Sequence, residues 1–142
     1  MSASRAFGLL AVVLGLFLAL PGRGEAGNVT VQNKSVYDAD MVFMFYDYEK
    51  EYFYVYGWYK VSAGQTTTFF FKNDPDRHFY WFAKAIGQYK TWPHSGDRKQ
   101  AIVDRLFEMP FDEVAKEPGS YVVRFATRKT ARNGNLVIDI VN

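Results

Sequence analysis

Cysteine is absent from the 142 residues. That removes disulfides, thiol catalysis, cysteine-ligated zinc and the lipidated cysteine of a bacterial lipoprotein, so stability has to come from packing. Histidine is nearly absent too. His78 and His94 stand alone, without an HExxH or HxH pattern, and offer no tetrahedral metal set. Charge of one sign is also lacking: the formal net charge is +2, too small a field to hold nucleic acid or an anionic membrane. No catalytic or cofactor motif occurs. Pro93-His94-Ser95-Gly96 sets a histidine beside a serine, but neighbours on an extended chain point apart, and no Gly-x-Ser-x-Gly turn is present.

Long apolar runs are confined to the N-terminus. Arg5 precedes an apolar stretch from Ala6 to Leu20, and Pro21-Gly22-Arg23-Gly24-Glu25-Ala26 follows. This is the layout of a secretory signal, with small residues at Gly24 and Ala26 suited to cleavage after Ala26. The run is about 15 residues, short of the roughly 20 that cross a bilayer. The expectation is a signal peptide over residues 1–26, a single domain over 27–142, and a periplasmic or secreted location with no membrane insertion after cleavage.

What the chain has in excess is aromatic and β-branched residues: 10 tyrosines, 13 phenylalanines and 3 tryptophans. Val29 and Val31, then Met41, Phe43 and Phe45, alternate in the manner of half-buried strands. Tyr52 to Val61 is β-prone at nearly every place, with a bend expected at Gly57. Gln65 to Phe71 and Arg77 to Ile86 are further strands; in the latter Phe79, Trp81 and Ala83 share one face while His78, Tyr80, Phe82 and Lys84 share the other. Tyr121–Thr127 and Leu136–Val141 read as a closing hairpin. Ile102, Val103, Leu106 and Phe107 fall at helical spacing, stopped by Met109-Pro110, and a second helical turn is expected near Asp112–Ala115. The fold expected is all-β and mainly antiparallel: a small sandwich or barrel of about seven strands, with one short helical excursion near residues 99–116.

Tyr46, Tyr48, Tyr52, Phe53, Tyr54, Tyr56, Trp58 and Tyr59 crowd into one hairpin. On a strand Tyr52, Tyr54 and Tyr56 line one side, so Tyr48, Tyr52, Tyr54 and Tyr56 form a candidate aromatic surface for a sugar ring or a peptide. The competing reading is packing within the sheet. Asp47, Glu49, Lys50 and Glu51 place the hairpin tip in water on this reading. Trp58, Gly57, Gly64, Tyr80 and Trp81 are structural candidates, with Trp58 as a core anchor and Gly64 as a positive-φ turn residue. Asp38, Asp40, Asp74 and Asp76 fall in turns, and turn chemistry explains them more cheaply than calcium. Asn28-Val29-Thr30 and Asn33-Lys34-Ser35 match the glycosylation acceptor pattern, which carries no meaning in a bacterial protein.

Asn33-Lys34-Ser35, Tyr46, Gly57-Trp58-Tyr59-x-Val61-x-Ala63-Gly64 and Arg77-x-Phe79-Tyr80-x-Phe82-Ala83 together resemble, in order and spacing, a bacterial family known as domain of unknown function 1036. The resemblance spans residues 29–86. Members commonly carry cysteines near the first turn and the glycine turn, which this chain lacks. The resemblance implies a small exported β domain of unassigned activity and supplies no catalytic residue.

The function expected is that of an exported, non-enzymatic binding or interaction module whose partner is a protein or glycan of the cell envelope, with no cofactor and no metal. The alternatives are a small envelope hydrolase using carboxylates such as Asp74, Asp76 or Glu108, and a homo-oligomer formed through an edge strand.

Overall fold

Among the described residues ten strands follow one another: β1 (Gly27–Asn33), β2 (Ala39–Asp47), β3 (Tyr52–Val61), β4 (Thr66–Phe71), β5 (His78–Ala85), β6 (Thr91–Trp92), β7 (Arg98–Ile102), β8 (Phe107–Pro110), β9 (Tyr121–Lys129) and β10 (Leu136–Ile140). A single 3₁₀ turn, Val114–Lys116, lies between β8 and β9. This computed structural model describes residues 27–131 and 133–142; the segment read as an export signal lies outside the described residues. Among the described residues no helix is long and apolar enough to cross a membrane.

The strands form two sheets. The smaller runs β10-β1-β4, with β1 parallel to β10 and antiparallel to β4. The larger runs β7-β9-β5-β2-β3-β8 and is antiparallel throughout, with β6 attached to β5. Alternation decides what each face does. Val29 and Val31 of β1 and Leu136, Ile138 and Ile140 of β10 point inward, onto Met41, Phe43 and Phe45 of β2 and Phe79, Trp81, Ala83 and Ala85 of β5. On the opposite face of the larger sheet, Val42, Met44, Val55, Phe82 and Phe125 bury a second core with Ala101, Ile102, Val103, Phe107 and Val114. Strand β2 serves both cores, so it is apolar at odd and even places alike and reads as a nearly continuous hydrophobic run.

The second core exists because the larger sheet curls. β7 and β8 are its opposite edges, yet only residues 103–106 separate them. Laid flat, five inter-strand spacings put those edges about 24 Å apart, whereas the link between them reaches at most roughly 17 Å. The sheet must bend to bring the edges together, and the concave side becomes a barrel-like interior closed by Val114 and Phe107. The all-β, mainly antiparallel sandwich read from the sequence is the fold observed.

Three expectations need correction. The strands among the described residues number ten rather than about seven, because β6, β7 and β8 are two to five residues long and too short to show a period of their own. The helical excursion near residues 99–116 is β7, a link and β8, with helix limited to the 3₁₀ turn. Ile102, Val103 and Phe107 are buried but Leu106 is 80% exposed: two strand ends aimed at one core reproduce helical spacing without a helix. Pro110 ends an edge strand, where its missing N–H costs nothing. Finally, β9 and β10 are not a hairpin. β9 lies in the larger sheet while β10 crosses to pair in parallel with β1, and the polar residues after Lys129 carry the chain between sheets.

Candidate binding cleft

The β2–β3 hairpin is organised by Asp47. Its Oδ1 accepts the backbone N–H groups of Glu49 at 2.9 Å and Lys50 at 3.1 Å, the local bonding by which aspartate starts a turn. Its Oδ2 accepts the Tyr56 hydroxyl at 2.6 Å. Asp47 is thus buried, which corrects the reading of it as part of a solvated tip; Glu49, Lys50 and Glu51 are the exposed turn residues. The turn is tied to the chain after β4, where the Tyr48 N–H donates to the Lys72 carbonyl and the Asp74 N–H to that of Tyr46.

The four tyrosines of the candidate surface separate. Tyr54 and Tyr56 lie on the first-core side of β3 with ring centroids 6.1 Å apart, and Phe45 stacks on Tyr56 at 4.8 Å. Tyr56 is only 8% exposed, so it is core as much as surface. Tyr52 turns away: its ring meets Phe111 and its hydroxyl donates to Asp112 Oδ2 at 2.7 Å. Tyr48 is half-buried in the turn. Tyr59 takes the place beside Tyr56 instead, because the register between β2 and β3 shifts at Met41/Val42 and one extra residue of β3 is accommodated at Gly57-Trp58. That bulge turns Trp58 toward the second core, where its Nε1 donates to the Val103 carbonyl at 2.8 Å.

Between the two sheets lies an open cleft of about 450 Å³. Tyr56 and Tyr59 of β3 and Phe107 and Glu108 of β8 line one side, and Phe70, Phe71 and Lys72 at the end of β4 line the other. Asp47, Glu49 and Lys50 close one end. The Lys50 ammonium sits 4.3 Å from the centroid of Tyr54 and 5.1 Å from that of Tyr56, a cation–π geometry, and it also donates to the Tyr56 hydroxyl and pairs with Glu108. Lys72 pairs with Glu49 at 2.6 Å. The rim therefore holds two lysine–glutamate pairs over an aromatic floor, with the Asp47 carboxylate as a third acid at its end. A larger concavity of about 500 Å³ lies against the turn from Ala85 to Tyr89, but Tyr89 stands wholly in solvent and gives it no wall.

The surroundings hold the protons on several of the site's tyrosines and on Lys72. Burial, then the bond to Asp47, pushes the Tyr56 hydroxyl far above the usual tyrosine range. Burial and the nearby Glu108 raise Tyr59. The bond to Glu49 raises Lys72, and the bond to Asp112 raises Tyr52. Each of these shifts moves a proton further from release at neutral pH, the reverse of what acid–base chemistry requires. Asp74 and Asp76 do not join Glu108: Asp74 accepts the Asp76 N–H at 2.9 Å within its own loop. Among the described residues no three histidine, aspartate or glutamate side chains gather as a metal set.

The structural candidates occupy defined places. Gly64 sits at φ 73°, and Trp81 is buried in the first core. Tyr80 packs edge-on against Phe53 on the second-core side. Gly57 lies against Phe107, where a Cβ would meet the ring at 2.6 Å. Asn33, the apparent glycosylation acceptor, is buried. Its amide donates to the carbonyls of Tyr37 and Val61, and its Oδ1 accepts from Ser35, so it pins the first turn onto β3.

The fold and cleft define a small β-sandwich whose curled larger sheet overhangs the smaller one and leaves an aromatic-floored slot at their shared edge. No protein-family model, curated protein or solved structure matches the chain. The resemblance drawn from its motifs rests on those residues alone.

Proposed function

We propose that this chain is an exported, non-enzymatic binding module of the cell envelope, and that it takes a protein or glycan partner in the cleft floored by Tyr56 and Tyr59. The observation that carries the reading is an open aromatic trough with an ion-paired rim, set between the two sheets. Aromatic rings give a partner contact area at little entropic cost, and the rim gives it orientation. The N-terminal zones of residues 1–26 support export. Against a hydrolase stands the separation of Asp74 and Asp76, held in their own loop, from the Glu108 that lines the cleft.

The test is titration of intrinsic tyrosine and tryptophan fluorescence against envelope glycans and envelope extracts. A saturable change in the native chain, lost in a Lys50→Ala, Tyr54→Ala double variant whose circular dichroism is unchanged, is the expected result. Absence of any response to either panel would overturn the reading.

A further inference from the structure

We infer that the cleft is a slot for one more β-strand: an extended segment of a partner polypeptide pairs with the free edge of β4 and lays alternate side chains on Tyr56 and Tyr59. This rests on the cleft being the binding site and deepens that reading by naming polypeptide, rather than glycan, as the partner.

The geometry comes from the offset between the sheets. At one side the Trp92 indole of β6 donates to the Val141 carbonyl just past β10, so the smaller sheet is anchored over β5 and β6. At the other side Phe69 packs on Phe43 of β2 at 5.4 Å and on Tyr59 of β3 at 5.3 Å, so β4 lies over β2 and β3. The smaller sheet ends there, while the larger continues one strand further to β8. The space above β3 and β8 is therefore one strand wide, about 4.8 Å along the sheet and within a layer spacing of about 10 Å. It is the cleft.

The wall of that slot is built for pairing. Among the described residues β4 pairs with β1 alone, so alternate peptide groups of β4 face the open side without a strand partner. Edge strands are ordinarily protected by charge, proline or a bulge. From Gln65 to Phe71 there is no charge and no proline, and every residue after Gln65 is threonine or phenylalanine. Phe70, 75% exposed, stands ready as a cross-strand neighbour for the incoming segment.

Two other occupants fit less well. A glycan needs free hydrogen-bonding groups, but the Tyr56 hydroxyl is committed to Asp47 and Lys50, and Lys50 to Glu108. The Tyr59 hydroxyl remains for a sugar, whereas the β4 edge offers a row of unpaired backbone groups, which a strand answers and a sugar does not. A second copy pairing β4 to β4 about a twofold axis would bring its own β3 and β8 into the layer already filled by the first copy's overhang. A lone extended segment avoids that clash. Because both lysines of the rim are already paired and Asp47 adds a third carboxylate, the segment is one without acidic excess and with apolar side chains at alternate places.

The experiment selects random peptides of about seven residues, the length of an ordinary strand, displayed on phage, against the full chain. The best binder is then synthesised in two isomeric forms, N-methylated on one or the other alternate set of amides. Strand addition predicts alternating apolar sequences. It also predicts loss of roughly tenfold or more in affinity for one isomer only, as expected when backbone hydrogen bonds are removed from the pairing edge. Slowed amide exchange at alternate residues of Thr66–Phe71 accompanies binding. Equal binding of both isomers would mean side-chain capture without pairing and would overturn the inference while leaving the binding module intact. Enrichment of no peptide, with a saturable glycan response, would do the same. Silence from peptides, glycans and extracts alike would remove both. A dimer in sedimentation with β4 amides already protected would assign the edge to a second copy and overturn the inference.

Discussion

The Tyr56 hydroxyl donates to Asp47 Oδ2 at 2.6 Å across the β2–β3 hairpin, so the residue that shapes the turn also fixes the ring that floors the cleft. Both partners are buried. Tyr56→Phe keeps the ring and its stacking on Phe45 but leaves the carboxylate short of one charge-assisted donor. A loss of about 1–3 kcal/mol in chemical denaturation is expected, the cost of stranding a buried acceptor. Asp47→Ala is expected to cost more, because the turn amides of Glu49 and Lys50 lose their acceptor as well. A Tyr56→Phe variant as stable as the parent would show that the bond contributes nothing net.

Tyrosine ionisation sets the alkaline limit. Tyr56, Tyr59 and Tyr121 all have hydroxyls raised above the ordinary tyrosine range, mainly by burial, with Asp104 assisting at Tyr121. A raised folded-state pKa contributes stability that is complete below the unfolded value and is lost as pH climbs from there toward the folded one. Stability is therefore expected to be unaffected by these groups near neutrality and to decline above about pH 10. Monitored by tyrosinate absorbance, these three ionise together with the loss of near-ultraviolet circular dichroism. Smooth ionisation of every tyrosine with the fold intact would contradict the burial on which the shift depends.

Trp58 anchors the edge of the second core. Its ring meets Phe82 edge-on at 6.5 Å, its indole N–H holds the Val103 carbonyl, and the Lys84 ammonium lies 4.4 Å from the ring centroid. Because it is half-buried, Trp58→Ala is expected at the lower end of the large-to-small range, about 3 kcal/mol. Trp58→Phe, which keeps most of the volume and loses the bond to Val103, is expected to cost about 1 kcal/mol. An unchanged melting temperature in Trp58→Ala would remove the residue from the core.

How far the sequence discloses this arrangement follows from how local each signal is. Strand β5 was legible to the face, because Phe79, Trp81 and Ala83 alternate strictly with Tyr80 and Phe82, the first set buried in the first core and the second packed on the second core. The two-residue β6 and four-residue β8 were not, since periodicity needs more length than they have. The tyrosine hairpin was legible as a cluster but not as a surface. A single bulge at Gly57-Trp58 exchanges Tyr59 for Trp58 in the row, and bulges leave no period to read. Glu108 and Lys72 reach the cleft from β8 and from the end of β4, through pairings no local pattern specifies. Even the β9–β10 misreading has this character: a polar link looks the same whether it folds back or crosses between sheets.

Two glycines separate a contact that can yield from one that cannot. A Cβ at Gly57 would lie 2.6 Å from Phe107 Cε1 and 3.2 Å from Val42 Cγ2, both side chains of the second core. At Gly96 a Cβ would lie 2.6 Å from both the carbonyl carbon and the carbonyl oxygen of Arg124 and 2.7 Å from the Phe125 oxygen, which are backbone atoms of β9. Either substitution to alanine overpacks its site, with about 1–3 kcal/mol lost. Truncating the obstructing ring should rescue the first: Gly57→Ala in a Phe107→Leu background is expected to cost at least 1 kcal/mol less than in the parent, a favourable coupling in a double-mutant cycle. No side-chain truncation opens the Gly96 site, so Gly96→Ala should show the same cost in either background. Independence of Gly57→Ala from Phe107 would place the strain elsewhere than in the ring, and with it the reason a glycine stands at the bulge.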